Sequence, residues 1–514
     1  MFYNFLGEEM IAKIQSYSLI GLSGYSVNVE VDVNNGLPAF DIVGLADAAI
    51  KESKERVRSA IKNSGRTIPS KKITANFAPA FIKKSGSSFD LALAVGVLVA
   101  TGQLVTEKTE NVVFLGELSL DGTVRKVAGV MPILISAMAE GYKKFVIPRE
   151  NAMEASFVRG AEIYTVESLS ETIDVLSGLK DGEKVTPRVY DGKTADVKYD
   201  SDMSYIKGQA VAKRALEIAV SGGHNILFVG APGTGKTMLA KCIPSIMPDM
   251  TFSEALETTK IYSVAGLLDD KAGIVYKRPF RSPHHTATTV ALTGGGSTLR
   301  PGEISLAHNG VLFLDEMPEY SRATLESLRQ PMEDGVITVA RAAGSVRYPA
   351  NFILCGSMNP CPCGNYGSKT KQCTCTPSQI ANYKAKISGP LLDRIDIKID
   401  VDEVKYEELT DKASGESSAE VRKRVNRTRL VQAERFKNDG ISTNADMKER
   451  HIEKYCKLSD ECEKTLKMAY DRLHLSPRAR SRIIKVARTI ADMELYDEIR
   501  VEHILEAISY RNQL

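Results

Sequence analysis

The chain has 514 residues, 43% of them apolar and 25% charged, and its 67 lysines and arginines nearly balance its 64 acids, leaving a net charge of +3. That length is too great for one core and predicts three or four domains at ~150 residues each, while the composition excludes a disordered, collagenous or disulfide-stapled chain. A polyanion must be met by local basic patches, because no overall field draws it in.

The opening Met1-Phe2-Tyr3-Asn4 lacks a basic segment followed by an apolar one, and no run of 18 apolar residues occurs, so we expect a cytoplasmic protein with no membrane partner. Residues 1–178 read as a first α/β domain. Val27, Val29, Val31 and Val33 alternate with Asn28, Glu30 and Asp32, the period of a strand with one wet face. Asn35-Gly36 predicts a turn. Asp47 is placed to cap a helix whose Ile50, Val57, Ala60 and Ile61 share one side and which Gly65 stops. An apolar helix over 89–100 and a strand over 112–115 follow. Residues 179–200 are polar, carry two glycines and a proline, and read as a linker.

Residues 201–400 read as the motor. Ile206-Lys207-Gly208-Gln209 precedes a helix over 210–221, and the apolar run Ile226 to Val229 then feeds into Gly230-Ala231-Pro232-Gly233-Thr234-Gly235-Lys236-Thr237. This is a buried strand followed by a phosphate loop, whose glycines let successive N–H groups point at phosphate oxygens of ATP. Lys236 is placed for the β- and γ-phosphates, Thr237 for Mg²⁺, and the helix that starts there offers its positive end. A second strand, Val311 to Leu314, ends in Asp315-Glu316, and the carboxyl ends of parallel strands are where ligands bind. Asp315 then holds Mg²⁺ through water and Glu316 polarises the attacking water. A third strand, Asn351 to Cys355, leads to Asn359, an amide able to orient that water without adding charge. Arg394, in Leu391-Leu392-Asp393-Arg394, supplies a guanidinium suited to a transferring phosphoryl group; the bland alternative is an ion pair with Asp393 or Asp396.

Between these elements lie two insertions. The run from Asp334-Gly335 to Tyr348 predicts a β-hairpin with Arg341 and Arg347 near its tip. The stretch 262–305, with Arg278, Arg281, His284, His285 and Gly294-Gly295-Gly296, is expected to form a second loop. Cys361-Pro-Cys363 and Cys373-Thr-Cys375, separated by nine residues, supply four thiolates, which fit a closed structural Zn²⁺ site. Such a site braces the loop after Asn359; the alternative is a set of redox-sensitive thiols.

Helical periodicity dominates 401–514. Residues 421–437 hold seven basic residues against Glu434, with Val421, Val425 and Leu430 left to face a core. This is a solvated face or, alternatively, a contact for DNA or an acidic subunit edge. Ser476-Pro477-Arg478-Ala479-Arg480 opens a further helix.

Two resemblances sharpen this reading. Lys84-Ser85-Gly86-Ser87-Ser88-Phe89-Asp90 followed by Gly116-Glu117-Leu118-Ser119-Leu120-Asp121-Gly122 resembles the proteolytic domain of Lon proteases, which implies a ribosomal-protein-S5-like fold. That family pairs a serine nucleophile, here near Ser88, with a lysine whose position falls at Met131, and a thioether takes no proton. Lys126 is the substitute to be weighed. The phosphate loop, Arg278-Pro279-Phe280-Arg281-Ser282-Pro283-His284-His285, Asp315-Glu316, Asn359-Pro360-Cys361-Pro362-Cys363 and Leu391 to Arg394 together resemble the YifB/ComM family of magnesium-chelatase-like AAA+ ATPases over nearly the whole chain. The resemblance implies that Ile206 and Gly208 line the adenine, that Asn359 is sensor 1, and that Arg394 reaches the neighbouring subunit's nucleotide. It implies also that Arg478, or failing it Arg480, is the sensor 2 arginine closing a helical lid over the γ-phosphate, and that the hairpin projects into a pore where Arg341 and Arg347 meet DNA. It further implies a homo-hexamer that moves single-stranded or branched DNA in recombination, notably natural transformation. The competing readings are a protein remodeller with a Lon-like substrate domain and a magnesium-chelatase motor.

Overall fold

The computed structural model describes residues 11–82, 84, 86–192, 199–296, 299–341, 344–368, 370–404, 407–408, 415–473 and 475–511. The chain divides into two compact units. The first comprises Met1–Asp191, Ala255–Tyr276 and Ser297–Arg300, and the second Gly192–Glu254, Lys277–Gly296 and Pro301–Leu514.

The first unit is built on an eight-stranded mixed sheet in the order Glu183–Lys184, Glu162–Val166, Lys144–Pro148, Val112–Phe114, Ala12–Ile20, Ser23–Asn34, Lys72–Ala78, Ala39–Val43. The valine alternation sits in Ser23–Asn34, with Val27, Val29 and Val31 buried in one core with helix Asp90–Ala100. Asp47 caps helix Ala48–Asn63, its Oδ1 accepting from the Ile50 N–H at 3.0 Å.

Two stretches depart from the sequence expectation. Residues 179–191 are not a free linker: Glu183–Lys184 adds an edge strand, the Arg188 N–H donates to the Ser156 carbonyl, and Tyr190 stacks on Tyr276 at 5.5 Å. Residues 193–198 lie outside the described residues. Segment Ala255–Tyr276, assigned from sequence to the motor and its second loop, packs in the first unit. Its Ser263 hydroxyl bonds the buried Glu154, whose Oε1 also accepts the Met131 N–H at 2.8 Å, so a carboxylate caps helix Val130–Ala139. Met131 is a fully buried core residue, and Lys126 is ion-paired with Asp270.

The second unit is a five-stranded parallel sheet in the order Phe280–Arg281, Val311–Leu314, Ile353–Met358, Ile226–Val229, Ile397–Asp400. Its central strands read as continuous apolar runs because helices cover both faces. Phe280–Arg281 is a strand that the sequence reading passed over as loop, being too short and too interrupted by Pro279 and Pro283 to show a period. Helices Ala210–Gly222 and Lys236–Ile246 flank the sheet, and one continuous apolar core runs from them into the C-terminal helices Ser418–Arg435, Asp460–Leu473, Pro477–Met493 and Val501–Ser509. Val421 and Val425 join that core, but Leu430 is 71% exposed and does not.

Candidate nucleotide site

Strand Ile226–Val229 delivers the phosphate loop, and helix Lys236–Ile246 begins at its end. Gly233 and Gly235 adopt φ of 85° and 93°, left-handed values that turn the loop back on itself. The Lys236 ammonium donates to the carbonyls of Gly230 at 2.6 Å and Ala231 at 2.9 Å and to Asn359 Oδ1 at 3.2 Å. Burial pushes this amine below the usual lysine range, and the negative charges of Asp315 and Glu316 oppose the shift.

Thr237 Oγ1 lies 3.0 Å from Asp315 Oδ2, so a hydroxyl and a carboxylate oxygen sit side by side. Mg²⁺ is held by one or two such hard oxygens, with phosphate and water completing the octahedron, and the pair fits that requirement. The other oxygen of Asp315 accepts from the Ser357 hydroxyl and, at 3.1 Å, from the Glu316 N–H. Glu316 has φ of 49°, unusual for a residue with a side chain and the kind of local strain that functional positions carry. Its exposed carboxylate lies 3.8 Å from His285 Nδ1. On the other side of the loop, Ile206 is buried, Gly208 has φ of 58°, and Gln209 Nε2 donates to the Asp402 carbonyl at 2.6 Å and more weakly to the Thr234 carbonyl.

Lys236, Thr237, Asp315 and Asn359 thus meet at the carboxyl ends of adjacent parallel strands, with Glu316 beside them. Ser357, His285 and Gln209 join them without having been singled out for a role. Ser357 carried one available signal, a hydroxyl within an otherwise apolar strand.

Arg394 and Arg478 lie elsewhere. Both line a cavity of 770 Å³ together with Glu333, Asn351, Arg482 and Lys485, and no residue of the phosphate loop borders it. Asn351 precedes strand Ile353–Met358, whose far end leads to Asn359; six residues at ~3.3 Å each separate the two ends by roughly 20 Å. Arg478 therefore does not sit over its own subunit's phosphate loop, as a lid-borne sensor 2 would, and shares the opposite end of the sheet with Arg394. The physical reason is the packing of its helix: Pro477–Met493 is tied to the starts of strands Ile226–Val229 and Ile397–Asp400, where Thr489 Oγ1 meets His224 Nε2 at 2.8 Å and Arg482 pairs with Asp396. Arg480 is paired with Glu463 at 2.9 Å. Arg394 itself is paired with Glu333 and not with Asp393 or Asp396; its Nη1 donates to the Pro390 carbonyl at 2.9 Å and its buried Nε has no hydrogen-bond partner.

The four cysteines converge. Sulfur separations are 3.4 Å for Cys361 to Cys363, 3.6 Å for Cys363 to Cys373 and 3.8 Å for Cys361 to Cys373, and all four ligand atoms lie within 4.8 Å of one another. A tetrahedron with metal–sulfur bonds of about 2.3 Å has edges of about 3.8 Å, so the set fits one ion. Backbone N–H groups of Asn365 and Thr374 hold the Cys363 thiol down to about 5. Among the described residues these four form the one cluster of three or more His, Cys, Asp or Glu side chains close enough to share an ion, and His284 and His285 are not in it.

Of the basic candidates, Arg347 is exposed on the hairpin formed by Val336–Arg341 and Gly344–Pro349. The side chain of Arg341 and the tip residues 342–343 lie outside the described residues. Arg278 pairs with Glu254 and Arg281 with Glu303. The basic run over 421–437 is largely spent inside the protein: Arg424 pairs with Glu217 and Glu416, Arg435 with Asp492, and Arg422 donates to the Ser245 carbonyl.

Comparison with known proteins agrees with this geometry. The family described as magnesium chelatase, subunit ChlI, matches residues 202–409; subunit ChlI of Mg-chelatase matches 29–151, and magnesium chelatase, subunit ChlI C-terminal, matches 415–511. The chain is 41% identical over 508 residues to competence protein ComM of Haemophilus influenzae, covering 98% of this chain and 97% of that one. It is 41% identical over 502 residues to the YifB protein of Salmonella typhimurium, covering 98% and 97%. A more distant likeness, 33% identity over 125 residues, links it to Lon protease 2 of Bacillus subtilis, covering 24% of this chain and 22% of that one. Parallel-strand geometry, phosphate loop and near full-length identity converge on one conclusion: the chain belongs to the YifB/ComM family of magnesium-chelatase-like AAA+ ATPases.

Proposed function

We propose that this chain is the subunit of a ring-shaped, ATP-driven DNA motor, a branch-migration helicase acting in homologous recombination or natural transformation. The observation that carries the ATPase part is the meeting of Lys236, Thr237, Asp315 and Asn359, with Glu316 alongside, at one end of the parallel sheet. The loop Gly230 to Thr237 cradles the phosphates, and Ile206 and Gly208 border the adenine. Thr237 and Asp315 hold Mg²⁺, which supplies neutralisation of the phosphate charge when bound. Lys236 exchanges the carbonyls of Gly230 and Ala231 for a phosphate oxygen, Glu316 takes the proton of the attacking water, and Asn359 orients that water. Arg394 and Arg478, remote from their own phosphate loop, act on the nucleotide of the next subunit, which requires an adjoining copy; the assembly is read as a homo-hexamer formed with nucleotide or DNA, as the family resemblance implies.

DNA as cargo is supported by the exposed Arg347 on the hairpin and by likeness to a protein named for competence. Arg341 and Arg347 contact phosphates there. The first unit is read as a Lon-like, ribosomal-S5-type domain without peptidase chemistry, consistent with the buried Met131. Cys361, Cys363, Cys373 and Cys375 hold one structural Zn²⁺.

ATP turnover measured in turn with single-stranded DNA, a branched junction and an unfolded protein tests the reading. Stimulation by the junction or single strand is expected. Stimulation by unfolded protein alone would replace the DNA motor with a protein remodeller, the reading that the Lon likeness favours.

A further inference from the structure

The four-cysteine loop touches the phosphate loop. Gly364, directly after Cys363, has φ of 79°, and a β-carbon placed on it would fall 2.6 Å from Pro232 Cδ and 2.9 Å from Cγ. Pro232 is a rigid ring at the tip of the loop that holds Lys236, and no flexible side chain separates the two. The same cysteine loop is anchored on three other sides. Asn359, which bonds Lys236, lies two residues before Cys361. Thr376, next to Cys375, caps helix Pro377–Lys384 through a capping box with Gln379. Ser368 and Thr370 bond Glu403, just past strand Ile397–Asp400. A largely polar, exposed loop held at four points has little apolar burial of its own to fix its shape. A cross-link through its sulfurs would fix it, and their spacing suits a single ion: disulfides require sulfurs at about 2.05 Å. The Cys363 N–H donates to Cys375 Sγ and the Tyr366 N–H to Cys361 Sγ, the backbone support that thiolate ligands receive in metal sites.

We propose that a soft divalent cation of the Zn²⁺ class, held by Cys361, Cys363, Cys373 and Cys375, clamps the phosphate loop through the Gly364–Pro232 contact, so that nucleotide affinity depends on metal loading. This rests on the ATPase reading above. The metal draws Gly364 against Pro232 and so limits the conformations of Gly230 to Gly235 to those that face phosphate. Loss of the metal by chelation releases the loop and weakens ATP binding.

The test uses the full chain with three preparations: wild type with Zn²⁺, wild type stripped by a chelator under reducing conditions, and Gly364→Ala. Metal content is measured per chain, Co²⁺ substitution reports thiolate coordination through its charge-transfer absorption, and affinity is read by titration with a fluorescent ATP analogue. Expected are one ion per chain in wild type and in Gly364→Ala, and analogue affinity about tenfold weaker in both the stripped protein and Gly364→Ala. Cys373→Ser should match the stripped protein; if it does not fold, Gly364→Ala still separates contact from metal. The proposal is overturned if the thiols of the wild type are found paired in disulfides with no metal bound. It is overturned equally if the ion binds but affinity stays within twofold of wild type in the stripped protein and in Gly364→Ala. A loaded wild type that binds no nucleotide at all sinks the ATPase reading itself, an outcome separable from both.

Discussion

Rings assembled from two inactive variants can decide which subunit each arginine serves. Arg394 and Arg478 line one cavity, roughly 20 Å along the strands from their own phosphate loop, and in the ring proposed above a complete site would take its loop from one subunit and both arginines from the next. In an equal mixture of Lys236→Ala and Arg394→Ala chains, a site works when its own lysine and its neighbour's arginine are both intact. Each condition holds with probability one half, which predicts turnover of roughly a quarter of wild type in a closed ring. Each parent alone should retain less than about 1%, the scale of losing a charge-stabilising arginine. An equal mixture of Arg394→Ala and Arg478→Ala should stay at the parental level, because every neighbour lacks one of the two. Steady-state ATP turnover of chains mixed before nucleotide is added, with ring formation checked by light scattering, reads both cases. Recovery of the Arg394/Arg478 mixture to about a quarter of wild type would put Arg478 back over its own subunit's nucleotide and refute the placement at opposite sheet ends.

Other outcomes follow from particular contacts. Glu316→Gln should bind ATP normally and hydrolyse it about 10²- to 10⁴-fold more slowly; a single-turnover rate equal to wild type would remove Glu316 from the chemistry. Asn225 accepts from the Leu354 N–H at 2.8 Å and donates to the Arg394 carbonyl at 3.0 Å. Asn225→Ala orphans a fully buried N–H, while the carbonyl keeps Arg482, so denaturation of the second unit should be easier by about 2–4 kcal/mol. A loss below about 0.5 kcal/mol would mean that water replaces the amide. Burial opposes ionisation of Asp396, but Arg482, His224 and Lys485 outweigh it and hold its carboxyl well below the usual range. A depressed folded value means that the stabilisation is complete above the unfolded value of about 4 and fades as pH falls through the folded one. Asp396→Asn should therefore cost about 3–5 kcal/mol at neutral pH, and the gap from wild type should narrow below about pH 4 in urea titrations. A gap constant across that range would assign the loss to packing. Glu333→Gln frees the Arg394 guanidinium and should raise ATP turnover of assembled rings; unchanged turnover would make the Glu333 pair a bystander.

Local chemistry made much of this protein legible from its sequence. The valine alternation of Ser23–Asn34, the Asp47 cap and the run from Ile226 into Gly230 to Thr237 are each written within a dozen residues, where side-chain period and backbone freedom act directly. The four cysteines were equally readable, since thiolates gathered within fifteen positions can hardly avoid one another. Long-range packing decided the rest. The basic run over 421–437 looks like a surface patch until Glu217 and Asp492 arrive from distant helices, and Glu416 from just before its own helix, to pair with it. Segment Ala255–Tyr276 follows the phosphate-loop helix in sequence yet packs in the other unit, because Glu154 needs its Ser263 and Lys126 its Asp270. Arg478 matches a pattern that elsewhere serves its own nucleotide, and only the docking of helix Pro477–Met493 at the starts of the strands carries it to the opposite end of the sheet. Spacing along a chain sets which side chains share a face; which end of a sheet that face meets depends on partners hundreds of residues away.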